Sequence, residues 1–249
     1  MLYLRAKAHQ NKELYLSMKQ SSTDQIDHEL LEDWIVEQVF DAIIERQLPP
    51  GHKLSEAALG KALGVGRMHI RRSLLLLASR GVVDLYANRG AFVSKPSVEE
   101  AQEVFEARIE VEPNITRLAV TRASKKDIAT LRQHLNDEHQ AHIDGDRRAA
   151  IRLSGQFHLT LAEIAGNEIL TKLVRELITR TSLIIGIYGS AGVSNCHSDD
   201  HEKLLTAFND KDGERAAQLM VKHLHSIQQH LSFQTGENEG VDLLSVFSK

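Results

Sequence analysis

The sequence predicts a mainly α-helical chain in two parts, with one small β-hairpin near their junction. Three observations carry this. Apolar residues recur at helical spacing over most of the length, as in Leu31, Ile35, Val39, Phe40, Ile43 and Ile44. Val82 to Leu85 and Ala91 to Ser94 instead alternate as short strands do, with Asn88-Arg89-Gly90 as the turn between them. After Ser97 the pattern is helical throughout, punctuated by Gly145, Gly166, Gly189, Gly192 and Gly213. Leu183 to Ile187 is the one other run that reads as a strand, and it fits a buried helix equally.

The elements follow in order. Residues 1–24 are polar and aperiodic, which predicts a flexible N-terminal arm. A first helix is expected from Asp27 to Gln47, ended by Pro49, Pro50 and Gly51. Ser55 suits the N-cap of a second helix, Glu56 to Leu63, with Glu56 at the positive end of its dipole. Gly64-Val65-Gly66 makes a sharp turn into a third helix, Arg67 to Ser79, which closes at Gly81. Helix, glycine turn, helix and hairpin make a winged helix-turn-helix over 25–94, a module that lays one helix in the DNA major groove. Residues 95–97 read as a linker. Helices are expected at 98–121, 124–143, 147–165, 167–188, 199–209 and 212–234, with capping-box-like starts at Ser97 and Ser124. They predict an all-helical bundle of six or seven helices over 98–234, then a mobile C-terminal tail over 235–249.

Bulk properties exclude several classes. A chain of 249 residues suffices for two modest domains. Cys196 is the only cysteine, so no intrachain disulfide forms, which suits a reducing cytoplasm. No apolar run approaches the ~18 residues of a membrane span. The opening MLYLRAKAHQNKEL lacks the apolar core and cleavage site of a signal peptide, so a cytoplasmic protein without a membrane partner is expected. Net charge is −4, yet Arg46 to Lys95 carries about +7 and the remainder about −11. A basic module joined to an acidic one is the footprint of local contact with double-stranded DNA.

The third helix presents Arg67, His69, Arg71 and Arg72 in its N-terminal half, while Leu74, Leu75 and Leu77 form its apolar face. Long donors there are what major-groove reading requires, because Arg bonds guanine O6 and N7 in a fork. Ser55, Gly66 and Met68 stand where backbone amides or small groups approach phosphates, and Arg89 with Gly90 forms the wing tip. In the helical half, His158, His201 and His223 each occupy an amphipathic helix among apolar neighbours. Three imidazoles converging from separate helices would make a site for a divalent transition metal such as Zn or Ni. Spacing alone does not establish convergence, and such a histidine also serves as an ordinary core residue.

Residues 35–93 resemble the DNA-binding domain of the GntR family of bacterial transcription regulators, through LPPGHKLSE, the LGVGR turn, IRRSL and RGAFV. The family commonly has LGVSRTPVREAL where this chain has LGVGRMHIRRSL. The resemblance places Arg67 and Arg71 on the base-reading arginines, and Ser55, Gly66, Met68, Arg89 and Gly90 on backbone and wing contacts. Arg72 replaces a usual Glu and His69 a usual Pro or Thr, which alters the operator implied. Residues 98–233 resemble the helical ligand-binding domain of the FadR-type (FCD) branch, through FEARIEVEP, QFHLTLAEIAGN, DDHEKLLTAF and LMVKHL. That branch often holds a metal on an Asp four residues before the FH histidine, on that histidine and on two later ones. His158, His201 and His223 match the histidines; Ser154 stands at the Asp position and brings no charge. Arg108 matches a family arginine facing the same pocket. A carboxylate metabolite would pair with it, the alternative being an internal salt bridge to Glu112. Arg152 and Arg180 are weaker pocket candidates, and Asn167 reads as a cap.

The function expected is a homodimeric regulator, a repressor, bound to an inverted-repeat operator and controlled by a small carboxylate in the helical domain. The alternatives are a regulator for which the ion is itself the signal, and a histidine-cluster metal-dependent hydrolase. The hydrolase lacks support, because Glu163 does not share a helix face with His158 as HExxH demands, and no phosphate-binding Gly loop or GxSxG is present.

Overall fold

The computed structural model describes residues 24–189, 198–233 and 241–247. Residues 1–23, on which the expected arm and the leader reading rest, lie outside this set, as do Cys196, Gly192 and residues 234–240. The chain divides into two compact units at Lys95/Pro96, and residues 241–247 group with the first.

In the first unit, helix α1 spans Asp24–Ile44. It starts and ends before the positions read from the sequence. Arg46 is left-handed (φ 59), and the Gln47 amide reaches back to the Ala42 carbonyl at 2.9 Å, so the chain has turned before Pro49. A short strand β1, Lys53–Leu54, was not legible from periodicity, because two residues hold no alternation to detect. Helix α2, Glu56–Leu63, is capped by Ser55, whose Oγ accepts from the Ala58 amide, and ends at left-handed Gly64. Helix α3 spans Arg67–Ser79. Strands β2, Val83–Tyr86, and β3, Gly90–Val93, complete an antiparallel sheet in the order β1-β3-β2, with Val83 opposite Val93 and Tyr86 opposite Gly90. Ile35, Val39, Ile43, Leu54, Leu59, Ile70 and Leu77 bury the faces of these elements against one another. Each such side chain contributes on the order of 1.5–3 kcal/mol.

The second unit is helical. Its elements are α4 (Val98–Arg122), α5 (Lys125–Ile143), α6 (Arg147–Ile164), α7 (Glu168–Tyr188), α8 (Ser198–Asn209) and α9 (Gly213–Gln229). The Leu183 to Ile187 run is helix within α7. Ser97 caps α4, and Ser124 and Asp127 form a reciprocal capping box on α5. The core gathers Ile115, Leu131, Phe157, Leu161, Val174, Leu204, Phe208, Met220 and Leu224 from all six helices. Helix α4 packs along α9, and α6 lies against α4, α5 and α7. His158 on α6, His201 on α8 and His223 on α9 are thereby brought to one interior. Within the segment expected as a loose tail, Leu243–Phe247 forms a short helix, α10, which packs on α2 with Leu243 buried. Among the described residues no helix is long and apolar enough to cross a membrane.

Candidate functional site

The recognition helix α3 begins at Gly66, which caps it without a side-chain hydrogen bond. The His69 amide turns back to the Gly66 carbonyl at 3.1 Å, so the amides of Arg67 and Met68 stand at the open end of the helix, the kind of position where helix N-termini meet phosphate. Arg67 has 74% of its side chain in solvent and meets Glu56 at 3.5 Å. Arg71 and Met68 are exposed beside it. A groove of about 440 Å³ runs between α2, α3 and the wing, lined by Ser55, Arg67, Arg71, Leu75, Tyr86 and Gly90. At the wing tip, Arg89 lies over the rings of Tyr86 and Phe92 at 5.4 and 5.6 Å, which orients its guanidinium. Gly90 holds φ 95, a conformation that a side chain would strain.

Two expected DNA contacts are placed differently. His69 is half-buried, stacks on His28 with centroids 4.9 Å apart, and donates through Nδ1 to Glu32 Oε1 at 3.3 Å. Arg72 Nη1 donates to the same oxygen at 3.3 Å. Both turn toward α1 because a nearly buried carboxylate there demands donors.

The second site lies inside the helical unit. His158, His201 and His223 are buried, and one ring nitrogen from each falls within 4.8 Å of the others. Nε2 of His223 lies 3.2 Å from Nε2 of His158 and 3.2 Å from Nε2 of His201. The outer nitrogens face carboxylates. His158 Nδ1 donates to Glu112 Oε2 at 2.6 Å, and His201 Nδ1 donates to Glu138 Oε2 at 2.8 Å. Asp200 Oδ2 stands 3.6 Å from His223 Nδ1. With their protons held outward, His158 and His201 aim bare lone pairs at the centre. One proton on His223 Nε2 can point at only one of the two lone pairs that face it. A cation among the three nitrogens relieves both, so the donor set fits a metal held by imidazoles with carboxylates behind them.

Arg108 donates through Nε to Glu112, so the internal pair read from the i, i+4 spacing is present. Its Nη2, buried, has no hydrogen-bond partner among the described residues, and neither does Glu138 Oε1. Ser154 is buried one turn before His158 on the same face of α6, where the family pattern has a carboxylate. Burial pushes the His158 ring down to about 4 and the His223 ring down to about 3, so both are neutral at pH 7 and available as ligands. Burial works against ionised Glu112, yet Arg108 and His158 beside it hold its carboxyl well below the usual range. Asp200 is also held low, by its contact with His223 and by Lys203.

Glu112, Glu138, Asp200 and Glu32 were not singled out from sequence as functional positions. A signal existed for two of them. Glu138 falls on the apolar stripe of Leu131 and Leu135, and Glu32 lies beside Leu31, Ile35 and Val36. An acid on a buried stripe needs a partner. Asn167 caps α7 as expected, and Arg180 meets Glu100 and Glu176 at the surface.

A recognition helix with outward arginines and an aromatic-braced wing define a DNA-binding protein of the winged helix-turn-helix class. Comparison with known proteins carries this further. The family described as bacterial regulatory proteins, gntR family, matches residues 31–93, and the FCD domain matches residues 103–226. The chain belongs to the GntR family of bacterial transcription regulators, in its FCD branch, and is a transcription regulator. It is 26% identical to the Uxu operon transcriptional regulator of Escherichia coli (strain K12), covering 78% of this chain and 83% of that one. It is 28% identical to the Nta operon transcriptional regulator of Aminobacter aminovorans, over 73% of this chain and 83% of the other. Its fold is similar to that of E. coli McbR/YncC, with a TM-score of 0.69 over 78% of this chain and 93% of that chain at 22% identity.

Proposed function

We propose that the chain is a repressor whose helical domain binds a divalent metal and a small carboxylate, and whose DNA affinity depends on that occupancy. The observation that carries the reading is the inner geometry of His158, His201 and His223, with the unpartnered Nη2 of Arg108 buried in the same helical interior. His158, His201 and His223 would hold the metal. The metal would supply positive charge and an open coordination position, since Ser154 brings no carboxylate to fill it. Glu112 and Glu138 fix the tautomers of His158 and His201 by accepting their outer protons. Arg108 offers a guanidinium edge to the effector's carboxylate.

On the DNA side, Arg67 and Arg71 read bases, Arg89 enters the minor groove or holds a phosphate, and Gly66 and Met68 lead the helix onto the backbone. Ser55 and Gly90 border the same groove. Two copies would meet an inverted repeat, since a two-fold protein matches a two-fold operator. Exposed Ile169 and Leu173, one turn apart on α7, are apolar surface available to such a dimer. An effector acts only through its different affinity for two arrangements of the protein.

Thermal melting of metal-stripped and metal-loaded protein with a panel of carboxylic acids, followed by gel shift on genomic fragments, tests this. The expected result is a melting shift that requires both metal and acid, and a fall in operator affinity under the same conditions. A change produced by metal alone would mean that the ion itself is the signal. No shift with any acid contradicts the effector reading.

A further inference from the structure

We infer that Glu32 selects which side chains of the recognition helix reach DNA: it retains Arg72 and His69 against α1 and leaves Arg67 and Arg71 to the duplex. This rests on the DNA-reading role given to α3 above. It goes beyond that role by assigning a positioning residue on α1, outside the α2–α3 pair.

The geometry is specific. Glu32 Oε1 accepts from Arg72 Nη1 and from His69 Nδ1, each at 3.3 Å. The Glu32 backbone carbonyl accepts from Ser73 Oγ at 3.1 Å, and Ser73 is buried. The same residue thus ties α1 to α3 through its main chain and sorts the polar face of α3 through its side chain. His28, one turn earlier on α1, stacks on the His69 ring and closes the cluster.

Two ion pairs compete for α3 arginines, and they differ in kind. Glu56, which meets Arg67, is a third exposed, so the pair is screened and Arg67 leaves it readily for a base. The Glu32 side chain is 11% exposed and has lost most of its water. Moving Arg72 to a phosphate would strip this carboxylate of one of the two donors it has among the described residues, which burial makes costly. Arg72 itself is half in solvent and adjacent to Arg71, so a phosphate contact would be open to it if Glu32 let go. Withholding one cation lowers sequence-independent affinity, which comes from phosphate neutralisation, and leaves base reading intact. Glu32 thereby raises the ratio of specific to non-specific binding.

The test uses the full chain and a duplex of unrelated sequence, with affinity measured by fluorescence anisotropy across a series of salt concentrations. Arg72→Ala is expected to leave the slope of log K against log salt unchanged. A slope shallower by about 0.9, the value for one phosphate contact, would overturn the inference. Glu32→Gln is expected to steepen the slope by about 0.9, and Arg72→Ala in that background to restore it. A folded Glu32→Gln protein with the original slope would also overturn it. A merely structural role for Glu32 would weaken binding in the variant, the opposite sign. Should Glu32→Gln not fold, the Arg72→Ala slope decides alone. Absence of any salt-sensitive binding by the unmodified protein would instead contradict the DNA-reading role, so the two failures are distinct.

Discussion

In the N-terminal unit Arg67 meets Glu56 at 3.5 Å with most of its side chain in water, whereas in the helical unit Arg108 and Glu112 are each 3% exposed and directly bonded. Both pairs join an arginine to a glutamate, yet the surroundings give them opposite uses. In water the pair is weak and exchangeable, so the cation remains free to meet a polyanion. Inside the bundle neither charge can be left alone, so the pair holds a fixed orientation and can pass it to a third group, here His158. The histidines divide in the same way. His69 sits at the edge of the reading helix and responds to a carboxylate on α1, while His158, His201 and His223 are sealed within six helices.

The largest effect should come from breaking the buried pair alone. Glu112→Leu leaves Arg108 charged and uncompensated and is expected to cost about 3–5 kcal/mol in urea unfolding, much of it recovered by Arg108→Met in the same chain. A cost as small as that of an exposed pair would erase the distinction between the units. Acid should act next, and in the helical unit. The folded values of His158 and His223 lie at about 4 and about 3, below the unfolded value near 6.5. The unfolded chain therefore binds more protons in that interval, and stability must fall as pH drops from about 6.5 toward about 4. Unfolding midpoints that stay flat across this window in the metal-stripped protein would contradict it.

Arg71→Ala should cost operator binding about 1–3 kcal/mol, read by gel shift, while unfolding free energy stays within about 0.5 kcal/mol of the original. An equal loss in both would mean that Arg71 is part of the core. Least of all, Arg175→Ala removes an exposed contact to Glu163 and should change the melting temperature barely measurably, a shift worth at most about 0.5 kcal/mol.

Much of this was legible before any coordinates. The six bundle helices were readable because glycines and serine caps mark their ends, and the outward placing of Arg67 and Arg71 because they stand in the N-terminal half of α3, before its apolar leucines. The β1 strand was not, since pairing of Lys53 with Phe92 is a long-range fact carried by two residues. The contact of Arg72 and His69 with Glu32 was not legible either, because periodicity reports which face a side chain leaves from, and not which acid awaits it across a helix–helix contact. Convergence of the three Nε2 atoms was likewise beyond spacing, as was the row of carboxylates behind them. The buried acid Glu138 on the stripe of Leu131 and Leu135 was the one local sign that the interior holds polar work.

The most direct test of the central contrast is a calorimetric titration of the metal-stripped chain with Zn²⁺ at pH 7. The inward-facing nitrogens predict uptake of one ion per chain, with affinity lowered at least about 10-fold by Glu112→Gln through loss of its support to His158, and uptake abolished by His201→Ala. No uptake by the unmodified chain, or undiminished uptake by a folded His201→Ala variant, would contradict the account.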